Sequence, residues 1–98
     1  MELINNLNGS ALTVTLVGRL DTTTAPQLEN NLKDKMAQLT ELTLDFKDLE
    51  YISSAGLRVL LSAQKAMNRQ GKMVIKNVNA TIMEVFDITG FSDILTIE

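Results

Sequence analysis

Two adjacent serines stand where the sequence pattern changes from a strand to a helix. Ser53 and Ser54 follow the alternating run 42–46 and come just before the apolar helical run that begins at Leu57. A hydroxyl at a helix start can accept a hydrogen bond from a free backbone N–H of the first turn, which predicts a helix cap. The same place suits an added phosphate, because the helix dipole and the free N–H groups stabilise negative charge. The local pattern by itself favours the cap.

The composition restricts the chemistry that the chain can supply. The sequence contains no histidine and no cysteine, which excludes a Ser-His triad, a thiolate zinc site and a disulfide framework. Acidic residues such as Asp45, Asp48 and Asp87 are scattered, without the spacing of paired catalytic carboxylates or of metal ligands. We therefore expect a binding protein and not an enzyme, with no metal and no cofactor.

Charge and hydropathy argue against two classes of partner. Nine basic and 12 acidic residues give a formal net charge of −3, and an isoelectric point near 4.8 disfavours nonspecific binding to nucleic acid or to anionic lipid. No apolar run approaches the ~20 residues that cross a bilayer, and residues 1–5 lack the basic start and apolar stretch of a signal peptide. We expect a cytoplasmic monomer with neither nucleic acid nor a membrane as partner.

The apolar pattern divides the chain into alternating strands and helices. Its 98 residues suffice for one domain, 1–98, without a second core. Asn8-Gly9 predicts a tight turn between two strands, and Pro26 falls in the first turn of a helix, where its missing N–H costs nothing. The predicted strands cover residues 2–7, 11–17, 41–46, 72–77 and 94–97, the predicted helices cover 24–38, 54–69 and 80–89, and a loop covers 47–53.

This order of elements predicts a sheet with one covered face. Strands that are separated by helices are usually parallel and joined by right-handed crossovers, whereas the leading hairpin adds an antiparallel edge. In the third strand, Leu42, Leu44 and Phe46 alternate with Thr43 and Asp45, while a sheet covered on both faces would show continuous apolar strands. We therefore predict an α/β fold with a mixed, mostly parallel sheet of four or five strands, a leading β-hairpin and helices mainly on one face.

Four short segments carry a resemblance to a known family. They are Gly18–Asp21, Leu44–Phe46, Leu49–Leu57 and Phe86–Phe91. With these segments the chain resembles the STAS family, the bacterial anti-sigma factor antagonists, over nearly its whole length. The most specific part is the loop, hydroxyl, glycine and helix that follow the third strand in that order.

The resemblance implies a switch that works by phosphorylation. In the family, an anti-sigma factor with serine kinase activity binds the unphosphorylated antagonist and releases the sigma factor. The kinase then phosphorylates a serine at the start of the second helix, which ends the complex, and a serine phosphatase restores it. That serine precedes a small residue and then Gly-Leu, which places it on Ser54, with Ser53 as second candidate. This chain has Ser53 where aspartate is common and Ala55 where serine or threonine is common.

The resemblance also implies a partner-binding surface around the phosphorylated serine. Its predicted members are Asp21, Tyr51, Ser53, Ala55, Gly56, Leu57 and Arg58. Alternatives stay open for three of them: Asp21 could cap a helix, Tyr51 could pack against the loop, and Arg58 could meet a partner carboxylate, the Ser54 phosphate or solvent. The alternative function is a STAS module in another assembly, such as a stressosome, lipid transport or the binding of a small ligand.

Overall fold

Four strands form one sheet in the computed structural model, which describes residues 1–98. The strands are β1 (Glu2–Asn8), β2 (Ala11–Leu20), β3 (Glu41–Ile52) and β4 (Lys72–Lys76), and the helices are α1 (Ala25–Lys33), α2 (Ser54–Asn68) and α3 (Ala80–Thr89). Two short 3-10 helices, Met36–Gln38 and Phe91–Asp93, follow α1 and α3. None of the helices is both long and apolar enough to cross a membrane.

The strand order in the sheet, β1-β2-β3-β4, follows the chain. The predicted turn joins β1 to β2, with Gly9 at a φ of +64°, a conformation that glycine adopts without strain. β1 pairs antiparallel with β2, whereas β2 with β3 and β3 with β4 are parallel pairs. The sheet is therefore mixed, mostly parallel and led by a hairpin, which confirms the predicted fold class.

The core lies against one face of this sheet. Leu44 and Phe46 of β3 are buried, whereas the alternating Thr43 and Asp45 are only half-buried. A single cluster of 23 buried residues takes members from all three helices. The aromatic rings of Phe46 and Phe86 join β3 to α3, with their centroids 6.4 Å apart. The helices thus cover mainly one face, as the alternation of apolar and polar residues predicts.

β3 is longer than predicted. The predicted loop 47–53 is wrong, because β3 continues to Ile52 and stays paired with β2 as far as Leu20. The register between the two strands shifts along this extension. Such irregularities break the two-residue period, so the buried residues Phe46, Leu49 and Ile52 recur at every third position. A search for strict alternation therefore stops at Phe46.

α1 ends earlier than predicted. Its last residue is Lys33 instead of Gln38, and the connection to β3 contains a 3-10 helix over 36–38. A 3-10 helix has fewer residues per turn than an α-helix, so the chain can tighten here and still bury Leu39 in the core. The apolar stripe in the sequence consequently extends past the end of the α-helix.

The predicted fifth strand is wrong. Within 94–97, only Ile97 bridges to the sheet, as an isolated parallel partner of Ile75. The 3-10 helix over 91–93 leads directly into this segment, which leaves few residues for a ladder. Leu95 is buried in the core. The segment therefore closes the core without extending the sheet, and the sheet has the smaller of the two predicted strand numbers.

Candidate functional site

The two serines follow the carboxyl ends of the two central strands. Leu20, the last residue of β2, pairs with Ile52, the last residue of β3. The N–H of Ser53 then donates to the Leu20 carbonyl at 2.9 Å, which ties the start of α2 to the end of β2. Ser54, the first residue of α2, is exposed. In open α/β sheets, ligands are bound at this carboxyl edge of the strands.

Gly56 allows α2 to start close to the sheet. A Cβ atom at this position would lie 2.7 Å from Leu20 Cγ and 2.9 Å from Ile52 Cγ1. Both distances are well below van der Waals contact, so in this close-packed interior a larger residue forces the helix or its neighbours to move. Gly56 and Leu57 are buried by the packing. Gly56 and Leu57 thus belong to the packing beneath the predicted surface, and they hold the exposed Ser54 and Arg58 in position.

The two serine hydroxyls differ in exposure and in backbone role. The Ser53 Oγ is buried and has no hydrogen-bond partner, whereas Ser54 is exposed. Ser53 is the N-cap residue by its backbone, since its carbonyl accepts from the Leu57 N–H at 3.0 Å, but its side chain makes no cap hydrogen bond. The side-chain cap predicted from the local pattern is therefore wrong. The free N–H groups of the first turn remain available to an anion.

Asp21 orders the turn that leads into α1. Its Oδ1 accepts the N–H groups of Thr23 at 3.0 Å and of Thr24 at 3.1 Å, and its own N–H donates to the Thr24 Oγ1 at 2.9 Å. The backbone N–H of Thr24, more than that of Thr23, holds the pKa of Asp21 below its ordinary value and outweighs the opposing desolvation. Asp21 is predicted to contact a partner or to cap a helix, and the structure shows its hydrogen bonds at the start of a helix. The contact with a partner stays a prediction.

Arg19 belongs to this edge, although its position in the sequence did not single it out. Its guanidinium lies 4.5 Å from the centroid of the Tyr51 ring, and its Nε lies 3.8 Å from the Asp21 Oδ2. Arg19 and Tyr51 are partners in the register of β2 and β3. The two residues meet because β3 extends beyond Phe46, and the alternation pattern in the sequence does not reveal this extension. Tyr51 packs on Arg19 by a cation–π contact and still exposes 40% of its surface.

Arg58 lies on the first turn of α2. It is exposed, and none of the ion pairs in the structure includes it. Residues four apart lie on the same side of a helix, so Arg58 and Ser54 share one side of α2. Ala55, the residue after Ser54, is half-buried. The structure therefore brings an exposed hydroxyl, two arginines, a carboxylate and a tyrosine to one edge of the sheet.

A known family matches nearly the whole chain, this edge included. The family model described as the STAS domain matches residues 3–98. The chain belongs to the STAS family. Its sequence is similar to the anti-sigma-B factor antagonist of Bacillus subtilis (strain 168), with 32% identity over 91 residues that cover 92% of this chain and 84% of the relative.

Solved structures share the STAS fold of this chain. One is the anti-sigma factor antagonist SpoIIAA in its unphosphorylated form, with a TM-score of 0.79 and 16% identity over 99% of this chain and 87% of that chain. Another is the Bacillus cell fate determinant SpoIIAA in its phosphorylated form, with a TM-score of 0.78 and 18% identity over 99% of this chain and 91% of that chain. At such identities, the likeness establishes the fold.

Proposed function

We propose that this STAS protein is an anti-sigma factor antagonist that is switched by phosphorylation of Ser54. Its unphosphorylated form binds an anti-sigma factor with serine kinase activity in the cytoplasm and frees the sigma factor. Phosphorylation by that partner ends the complex, and a serine phosphatase restores it. The Bacillus subtilis relative is named for antagonism of an anti-sigma factor, which supports this class of partner. The observation that carries the proposal is the exposed Ser54 at a helix start without a side-chain cap.

The accessibility of the two hydroxyls favours Ser54 over Ser53 as the phosphate acceptor. A kinase must bring the γ-phosphate of ATP in line with the attacking oxygen. The Ser53 Oγ is buried and becomes accessible to a kinase only if its side chain or the groups around it move, whereas Ser54 is exposed. In this proposal the protein is the substrate of its partner's kinase activity.

The fold has the means to accept a phosphate on Ser54. The phosphate adds a charge of about −1.5 to −2 at neutral pH. At the first residue of the 15-residue helix α2, the helix dipole and the free N–H groups stabilise negative charge. Arg58 supplies a free cation on the same side of the helix. Phosphorylation therefore changes the surface and leaves the core unchanged.

The same charge is costly at a packed interface. A partner that covers Ser54 must remove water from the new phosphate, and this costs several kcal/mol unless a cation meets it. The surface around Ser54 already carries the Asp21 carboxylate, which Arg19 pairs at 3.8 Å. The unphosphorylated surface offers the Tyr51 ring and two guanidinium groups to a partner. One added group can thus preserve the fold and end the complex.

The proposal is tested by mixing the chain with a panel of kinase-type anti-sigma factors and measuring complex formation by calorimetry. The parent chain and Ser54→Ala are expected to bind the same member of the panel with similar affinity. The parent chain that the kinase has phosphorylated is expected to bind poorly, while its circular dichroism spectrum stays unchanged. Absence of binding to every member would instead favour a STAS module of another assembly.

A further inference from the structure

β1 forms an unprotected edge of the sheet. It stands first in the strand order and pairs only with β2. Six of its seven residues are exposed, among them Ile4 at 48% and Leu7 at 45%. Natural edge strands usually carry lysine, proline or a bulge that prevents pairing with another chain. β1 has no lysine or proline, its register with β2 is regular, and its one charged residue is Glu2.

The hairpin determines which backbone groups of β1 point outward. A two-residue loop joins the paired Asn8 and Ala11, so these two residues exchange hydrogen bonds with each other. On the opposite side of β2, the Ser10 carbonyl accepts the Thr40 N–H at 2.9 Å. Ser10 therefore points away from β1, as this alternation requires. Every second residue of β1 therefore turns its N–H and C=O away from β2. These residues are Leu3, Asn5 and Leu7.

We propose that β1 pairs with β1 of a second copy of this chain, antiparallel and centred on Asn5. To form hydrogen bonds, the outward-pointing N–H and C=O groups of one β1 must lie opposite those of the other β1. The register with the longest overlap then places Asn5 opposite Asn5 of the second copy and Leu3 opposite Leu7. Each exposed Leu7 gains an apolar neighbour, and Glu2 faces Asn8, so no like charges face each other across the two paired strands. The two sheets become one continuous sheet, and the protein is a dimer where the sequence suggested a monomer.

On the helix side of this edge, α1 presents uncharged amides and one lysine to a second copy. The amides of Asn5 and Asn31 form two hydrogen bonds, at 3.0 and 2.8 Å, and the Gln27 amide donates to the Met1 carbonyl at 3.1 Å. α1 thus leans over β1 with neutral side chains. Lys35, whose Nζ lies 3.5 Å from the Asn31 Oδ1, is the charged group that contacts this pair. Because Asn31 bonds Asn5 at the centre of the pairing, the Lys35 side chains of the two copies lie near the two-fold axis, where their repulsion opposes the pairing.

This pairing has a consequence for the edge around Ser54. The strands of the two copies run in opposite directions, so the two Ser54 sites lie at opposite ends of the continuous sheet. Neither site is covered by the interface, because β1 lies at the side of the sheet and Ser54 follows the end of β3. The dimer therefore presents two independent sites. Dimerisation does not depend on the proposed function of Ser54.

The first test is the mass of the full chain in sedimentation experiments over a wide range of concentration. The expected result is a shift from one to two chain masses as the concentration rises. Leu7→Lys should raise the dissociation constant at least about tenfold, since both leucine pairs are lost. Ile88→Lys, at a 78% exposed position on α3, is the matched control and should not change it. A chain that stays monomeric throughout, or a dimer insensitive to Leu7→Lys, overturns the proposal.

The second test is cross-linking, which this chain allows cleanly because it has no cysteine. Hydrogen-bonded antiparallel partners have Cα atoms about 5.5 Å apart, within the range of a disulfide. Asn5→Cys should therefore form a disulfide dimer on oxidation, as should the double variant Leu3→Cys, Leu7→Cys. Leu7→Cys alone should not, because its two copies lie roughly 13 Å apart along the strand pair. Cross-linking of Leu7→Cys without that of Asn5→Cys contradicts the register.

Discussion

α2 and α3 both start at the carboxyl edge of the sheet, but their first turns are completed in different ways. At α3, the Asn79 Oδ1 accepts the Ile82 N–H at 2.8 Å, and the Asn79 Nδ2 donates to the Leu49 carbonyl at 3.0 Å. At α2, the Ser53 side chain makes no cap hydrogen bond and its Oγ has no partner. Natural sequences tend to break such local rules at functional positions. The uncapped start of α2 is therefore where the proposed function at Ser54 predicts a departure from the local rule, and the capped start of α3 serves as its structural reference.

The largest expected effect tests the packing that holds α2 in place. Leu60 is fully buried on the inner side of α2, at 0% exposure. In Leu60→Asp an unpaired carboxylate enters the core, and the free energy of unfolding should fall by several kcal/mol, out of the ~5–15 kcal/mol that is typical of small domains. Urea denaturation measures the loss. A variant that unfolds at the parent midpoint would mean that this side of α2 does not face the core.

The next effect concerns the close approach of α2 to the sheet. Gly56→Val puts atoms where Leu20 and Ile52 already lie, so overpacking should lower the free energy of unfolding by about 2–3 kcal/mol. Ala55→Val is the matched control at the half-buried neighbouring position and should cost clearly less. Both values come from denaturant titrations. Equal losses for the two variants would argue against the tight contact at Gly56.

A pair of smaller substitutions compares the two helix starts directly. Asn79→Ala removes a cap and should lower the free energy of unfolding by about 1 kcal/mol. Ser53→Ala removes a hydroxyl that makes no hydrogen bond, so it should be neutral or stabilising. Thermal denaturation of the two variants beside the parent gives the difference. A loss at Ser53 as large as that at Asn79 would show that Ser53 caps α2 in solution.

The smallest effect is a pH dependence at the start of α1. In the folded chain, the hydrogen bond from the Thr24 N–H is the main cause that holds the pKa of Asp21 below its ordinary value of 3.8. A lowered pKa stabilises the fold above the unfolded value, and the contribution is lost as the pH falls through the folded value. Asp21→Asn should therefore be less stable than the parent at neutral pH, and the two stability curves should converge below about pH 4. Curves that stay parallel into acid would contradict this role.

Much of the fold follows from local patterns. Asn8-Gly9 marks the hairpin, and the alternation from Leu42 to Phe46 predicts both the central strand and the single covered face. The position of Ser54 at the start of a helix follows from the change of period around Gly56. These features are encoded by neighbouring residues, which is why the sequence alone suffices for them.

The remaining features depend on contacts between distant residues. The pair of Arg19 and Tyr51 exists because the register of β2 and β3 shifts, and no local pattern reveals such a shift. The burial of the Ser53 hydroxyl likewise belongs to the packed structure, in which the Ser53 N–H donates to the distant Leu20 carbonyl. The resemblance already ranks Ser54 above Ser53, and the packed structure adds that the Ser53 hydroxyl is buried whereas Ser54 is exposed.

The most direct test of the central claim is phosphopeptide mapping after incubation with the cognate kinase-type anti-sigma factor and ATP. The account predicts one phosphate per chain on Ser54, none in Ser54→Ala, and full stoichiometry in the matched control Ser53→Ala. A phosphate on Ser53 in the parent, or full phosphorylation of Ser54→Ala, would contradict the assignment of the switch to the exposed hydroxyl at the start of α2.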